Sequence, residues 1–309
     1  MSQQASTHTE IYRAYEGAAS VRRWRCLPLA RAGLARAFRR KLALILFAPP
    51  LIATAIFSFV VYSKFALEAG LNPTPGVDSD VRSPAALMGT MASNMIQVKE
   101  QIVGFHLAMN LFVLLTVIWY GAGLFADDRR EKSHLLYFAR PMSRLDYVLG
   151  KWLVVLAFGS VATVVPGVVI CTVASFASPD WSFVREEGDV IWKMLVFSVL
   201  SLLTFSSITL AVSSLCQRKS HALAGSLGFF LLMQGVAALL WSLQRDRSWL
   251  VLSPFGSLRR VAAGLFDLNR TLGMRTDWSL SGSWAMVLGL ILVSSLIIFW
   301  RVRAMEREG

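Results

Sequence analysis

The chain has 309 residues, 55% of them apolar and only 16% charged, with a mean hydropathy of +0.54. Soluble globular proteins carry about a quarter of their residues as Asp, Glu, Lys or Arg, so that class is excluded and the lipid bilayer becomes the solvent to reason from. A net charge of +12 would point a soluble protein at nucleic acid, but here the charges gather between long uncharged stretches, and no nucleic-acid partner is expected.

Residues 1–41 are polar and Arg-rich, with no apolar core followed by a small-residue cleavage site, so no removable signal peptide is expected. Leu27, Leu29, Ala30, Leu34, Ala37 and Phe38 recur there at near-helical spacing among Arg31, Arg36, Arg39 and Arg40. This predicts an amphipathic helix in the inner membrane interface, or equally a basic topology anchor. Six apolar runs follow, at 42–63, 102–126, 152–176, 191–216, 220–243 and 283–300, with Lys193 the one charge among them. Each approaches the about 20 residues that a helix needs to cross a hydrocarbon core of about 30 Å. Helices are the expected form, because lipid offers no partner to free backbone groups and the runs lack the alternation of barrel strands. The predicted fold class is an all-α integral membrane protein: a cytoplasmic segment 1–41, then a six-helix transmembrane domain over 42–309.

Within the spans, Pro49-Pro50 and Pro166-Gly167 predict kinks in the first and third. Ser83 and Pro84 predict the start of a helix leading into the second. Met88, Met91 and Met95 share a face of that helix and could hold Cu(I), although apolar packing accounts for them as well. His106 and Asn110, one turn apart in the second span, and Gln234 in the fifth either line a polar path or hydrogen-bond between helices. Gly225 and Gly228 allow close helix approach. After the fifth span, Leu258, Val261, Ala262, Leu265 and Phe266 follow a helical apolar stripe, predicting a helix on the outer membrane surface. Cys26, Cys171 and Cys216 form no CxxC pair, and His134 and His221 have no spaced partners, so neither a disulfide framework nor a metal site is expected.

Orientation follows from the connections. With the N-terminus inside, 20 of the 31 Lys and Arg residues fall on the inner side and 10 in the external segments 64–101, 177–190 and 244–282. That asymmetry is the positive-inside signature and places both termini in the cytoplasm. The bacterial cytoplasmic membrane is the expected location.

The inner connection 127–151 is the most informative stretch. Asp127, Asp128, Arg129, Arg130, Glu131 and Lys132 alternate in sign and lead to an apolar patch at Leu135, Leu136 and Phe138. Pro141 then breaks helix at Arg140, and Ser143 offers an N-cap for a second helix carrying Arg144, Asp146 and Tyr147. Positive-inside bias explains the bases but neither the acids, the apolar patch nor the proline-split pair of helices, which together suit docking on another protein.

This stretch, ending LYFARPMSRLDYVLGK over residues 136–151, resembles the coupling region of permease subunits of ABC-2 type ABC transporters. The six spans, the amphipathic helix before the first and a helical segment between the fifth and sixth resemble that family too. The resemblance implies separate ATPase subunits that bind ATP and Mg, a second permease chain completing the path as a homo- or heterodimer, and export. It implies ATPase coupling by Asp127, Asp128, Arg129, Arg130, Glu131, Lys132, Leu135, Leu136, Phe138, Arg140, Pro141, Ser143, Arg144, Asp146 and Tyr147. No phosphate-cradling GxxxxGK[ST] loop is present: Gly150-Lys151 is followed by Trp152, and Leu145 stands where the first glycine belongs. The chain is therefore expected to be a transport subunit and not an enzyme, with no cofactor of its own. A secondary carrier, which would ordinarily keep an ionisable group inside the membrane, and a membrane scaffold are the alternatives.

Overall fold

The computed structural model describes residues 26–39, 41–71, 96–133, 143–268 and 277–307. Its elements are helical: α1 (Cys26–Phe38), α2 (Lys41–Leu71), α3 (Val98–Arg130), α4 (Arg144–Ser160), α5 (Val164–Ala177), α6 (Ser182–Glu186), α7 (Asp189–Leu215), α8 (Lys219–Gln244), α9 (Pro254–Leu265) and α10 (Leu280–Arg307), with 3-10 turns at Pro179–Trp181 and Arg247–Leu252. Five of these, α2, α3, α7, α8 and α10, are each long and apolar enough to cross a membrane, and α4 with α5 passes the same test as a bent pair, for five to six candidate spans in all.

The expected kink in the third span is a break. Pro166 has no N–H to give the carbonyl of Ala162, and its ring crowds that carbonyl. The chain accordingly leaves helix over Val161–Thr163, tightening through N–H bonds from Ala162 to Gly159 O (3.0 Å) and from Thr163 to Ser160 O (3.3 Å). α5 resumes at an angle of 42° to α4. At Pro49-Pro50, by contrast, α2 runs on as one helix, and Thr54 Oγ1 donates to the carbonyl of Pro50 at 2.6 Å.

α3 and α7 form the centre. In their apolar stretches 61% and 72% of residues are buried, against 28% for α2, 17% for α8 and 22% for α10, so the last three present most of their surface outward. α7 suits the centre because its buried face is small and hydroxylated: Ser198, Ser201, Thr204, Ser206, Ser207, Thr209, Ser213 and Ser214 are all enclosed. Small side chains let backbones approach closely. Several of the hydroxyls satisfy themselves on their own preceding turn, as Thr204 does on Leu200 O (2.8 Å) and Thr209 on Phe205 O (2.8 Å).

Contacts sort the molecule into two ends. At one lie the C-termini of α3 and α7, the N-termini of α4 and α8, and α1, which packs on α4. Glycines set that packing distance: a Cβ on Gly150 would fall 2.7 Å from Leu29 Cδ2, and one on Gly33 would fall 2.7 Å from Val154 Cγ2. Tyr120 Oη donates to Gly33 O at 2.5 Å and fixes the register of α1. At the other end, Lys193 on α7 reaches Asp189 (2.8 Å) and Asp267 beyond α9 (3.3 Å), and Arg260 Nε donates to Trp278 O (2.8 Å) just before α10. The 28 residues of α10 then span about 42 Å at 1.5 Å per residue, returning the chain to the first end.

The segment after α8 differs from the sequence expectation. Leu258, Val261, Ala262 and Phe266 are buried, and α9 packs against α10 and α7. Ser253, which caps α9 through the N–H of Gly256 (3.2 Å), also donates to Gln234 Oε1, about 15 Å down α8 from its end at Gln244 at 1.5 Å per residue. The chain turns back into the bundle instead of lying flat on the surface, because the apolar stripe and the span's polar amide both find partners inside the protein. The region of Ser83, Pro84, Met88, Met91 and Met95 lies outside the described residues, as does His134.

Candidate functional site

α3 does not stop where its apolar run stops. It continues through Asp127, Asp128 and Arg129 to Arg130, and ends where Lys132 turns left-handed at φ 54°. Ser143 then starts α4 as the sequence predicts. Its Oγ accepts the N–H of Asp146 (3.0 Å) and donates to Asp146 Oδ2 (2.8 Å), while its own N–H points back to the same carboxylate (3.4 Å). This reciprocal capping box satisfies donors that the first helical turn leaves open.

Between the two helices lies a buried ionic knot. Lys151 Nζ stands 2.6 Å from Asp128 Oδ2, with side-chain exposures of 7% and 14%, and donates to Leu124 O at 2.8 Å. Tyr147 is fully buried and donates its hydroxyl to the same Asp128 oxygen at 2.6 Å. Charges taken this far from water are tolerated only when paired and hydrogen-bonded. The knot therefore fixes the distance and rotation between the end of α3 and the start of α4. Arg129 makes a second tie, donating to the carbonyls of Ser214, Leu215 and Cys216 at 3.2, 3.1 and 3.3 Å. These are carbonyls that the end of α7 leaves unpaired, where a cation is also favoured by the helix dipole. Ser213 Oγ completes the junction: it donates to Ala122 O (2.8 Å) and accepts from the N–H groups of Phe125 and Ala126 (3.2 and 3.3 Å).

The predicted coupling residues thus divide. Asp128, Arg129 and Tyr147 face inward and tie the elbow to itself and to α7. Asp127 stands beside Gly123, where an added Cβ would lie 2.7 Å from its Oδ2 and 3.2 Å from Lys219 Cδ. Arg130, Glu131, Lys132, Ser143 and Arg144 are exposed, Asp146 is half-buried as part of the cap, and the neighbouring Leu145 is 58% exposed. Leu135, Leu136, Phe138, Arg140 and Pro141 lie outside the described residues. Sequence reasoning does not single out two participants, Lys151 and Ser213. Lys151 does carry a legible signal: a lone base opening an apolar run, with acids closing the run before it.

Of the polar residues of the spans, His106 and Gln234 have hydrogen-bond partners on other elements. His106 is buried, with Nδ1 2.8 Å from Ile102 O and Nε2 2.7 Å from Ser198 Oγ on α7. Gly167 makes room for that ring: a Cβ there would lie 3.0 Å from His106 Cε1 and 2.6 Å from Met194 Sδ. Asn110 is buried one turn further on. Gln234 is joined to Ser253.

A family model described as ABC-2 family transporter protein matches residues 35–243, more than half of the chain and the whole of the elbow. No curated protein matches the chain.

Proposed function

The chain belongs to the ABC-2 family of transporter proteins and is a multi-pass membrane permease of the ABC type; from that premise we propose that it is the transport subunit of an exporter driven by separate ATPase subunits. The observation that carries the coupling role is the double tie of the elbow, Asp128–Lys151–Tyr147 across α3 and α4 and Arg129 onto α7. A docking element must pass on a displacement without absorbing it, and a surface loop without buried fixings would bend instead.

Arg130, Glu131, Lys132 and Arg144 stand exposed beside this tied frame. Their mixed signs favour one docking register on a complementary surface and disfavour slipped ones. In the proposed cycle, two ATPase subunits bind ATP and Mg and close. The elbow moves with them as a lever, and α3, α4 and α7 reorient around a path between this chain and a second permease chain. Both termini and the elbow lie on the cytoplasmic side of a bacterial cytoplasmic membrane in this reading. Its basis is the basic asymmetry, which recurs in space, since Arg31, Arg36, Arg39, Arg218, Arg301, Arg303 and Arg307 all belong to the elbow end.

The test is co-purification with the cognate ATPase subunit. Arg144→Glu leaves the permease in the membrane but reduces ATPase recovery about tenfold, as reversal of one close interfacial charge pair does. Wild-type recovery of an ATPase by a variant reversed at Arg130, Lys132 and Arg144 together would refute the assignment, and a wild-type permease that retains no ATPase would favour a scaffold.

A further inference from the structure

α10 carries a continuous outward stripe. Leu292 (64% exposed), Leu296 (68%) and Trp300 (66%) follow one another at one-turn intervals, and Arg303 and Arg307, both exposed, extend the same line to the elbow end. Trp300, Arg303, Ala304 and Arg307 line a groove of about 190 Å³, with Ala304 as the notch between the larger side chains. Arg303 and Arg307 show no ion pair or hydrogen bond among the described residues. Three cations of this end are committed elsewhere: Lys151 to Asp128, Arg129 to the end of α7, and Lys219 over the Trp119 ring at 5.2 Å.

We propose that this stripe is a binding site for one anionic phospholipid of the leaflet at the elbow end. The order of chemistry along it is that of such a lipid: apolar surface for an acyl chain, an indole at the depth of the glycerol backbone, then two guanidinium forks one turn apart for a phosphate. Indoles settle at this interfacial depth, and a planar guanidinium can grip phosphate through two parallel N–H···O bonds. The dimension agrees as well. Fifteen residues from Leu292 to Arg307 rise about 22 Å, and one leaflet with its headgroups is about half of a 40–45 Å bilayer. Charge selects the headgroup: two exposed guanidiniums one turn apart favour a net-negative lipid over a zwitterionic one. A free phosphate would use the arginines alone and leave the apolar half of the stripe without a role. The inference depends on the chain lying in a bilayer and not on the ATPase coupling.

Native mass spectrometry of the purified full-length chain, taken from bilayers of phosphatidylcholine doped with phosphatidylglycerol, tests it. Wild type retains phosphatidylglycerol in preference to phosphatidylcholine. R303Q/R307Q binds it about twenty-five-fold more weakly, the product of about fivefold for each basic residue near an anionic surface. R303K/R307K, which keeps both charges but not the bidentate forks, binds more weakly than wild type and more tightly than R303Q/R307Q, and R259Q at the opposite end is unchanged. Equal retention by wild type and R303Q/R307Q overturns the proposal. Displacement of the lipid by equimolar glycerol 3-phosphate also overturns it, since the site would then read phosphate alone.

Discussion

Replacing Lys151 with Met tests the physical core of the elbow. The substitution keeps the length and most of the volume of the side chain but removes the ammonium 2.6 Å from Asp128 Oδ2 and 2.8 Å from Leu124 O. Asp128, at 14% side-chain exposure, is then left as a charge with its counter-ion gone. Breaking one partner of such a pair costs about 3–5 kcal/mol. At about 2 °C per kcal/mol for a chain of this size, the melting temperature in detergent should fall by about 6–10 °C. Removing both charges restores most of the loss, because a neutral, similarly shaped pair has no ion to desolvate; D128N/K151M should therefore melt well above K151M. Tyr147→Phe, which deletes the hydroxyl and its hydrogen bond to the Asp128 carboxylate, costs about 1.5–3 kcal/mol. The assay is thermal unfolding followed by circular dichroism, with size exclusion confirming that each variant is monodisperse. A K151M melt within about 2 °C of wild type, or a double variant no better than the single one, refutes the reasoning.

Two further outcomes follow from the packing. Gly150→Val places a branched side chain where a Cβ alone already lies 2.7 Å from Leu29 Cδ2 and 3.3 Å from the carbonyl of Cys26. Overpacking of this kind costs about 1–3 kcal/mol, and α1 should lift from α4, read as faster tryptic cleavage at Arg31 and Arg36; an unchanged cleavage rate would contradict the packing. Cys216 is half-buried at the elbow end while Cys26 and Cys171 are buried. An impermeant maleimide should accordingly label the wild-type chain at Cys216 in inverted membrane vesicles and spare it in intact cells, and the reverse pattern would invert the topology.

Much of this architecture is legible in the order of residues alone. The spans are the plainest case: lipid forces every backbone group to be satisfied within its own helix, so an uncharged run of sufficient length has one solution. The Ser143 cap is equally local, since its hydroxyl and the Asp146 carboxylate lie within one turn of each other. What the chain order hides is which way neighbours point. Asp127 and Asp128 are adjacent and chemically identical, yet about 100° of helical rotation separates them, and only the latter meets Lys151. Likewise the stripe of α9 is visible as a period but not as a destination. Its apolar face fits lipid or protein equally well, and a bond between Ser253 and Gln234, nineteen positions apart, decides between them. The two prolines of the first span and the one of the third carry the same local penalty but different outcomes: α2 continues, whereas the chain before Pro166 has left helical geometry at Thr163, with φ −137° and ψ −57°.

The central rod α7 is moored at both extremities. Arg129 holds its final carbonyls at one end of the bundle, and Lys193 ties its opening turns to Asp267 at the other. A 27-residue helix of about 40 Å that is stiff along its axis cannot slide without straining one mooring or the other. Slackening either mooring alone would therefore free one end of α7 and leave the other held.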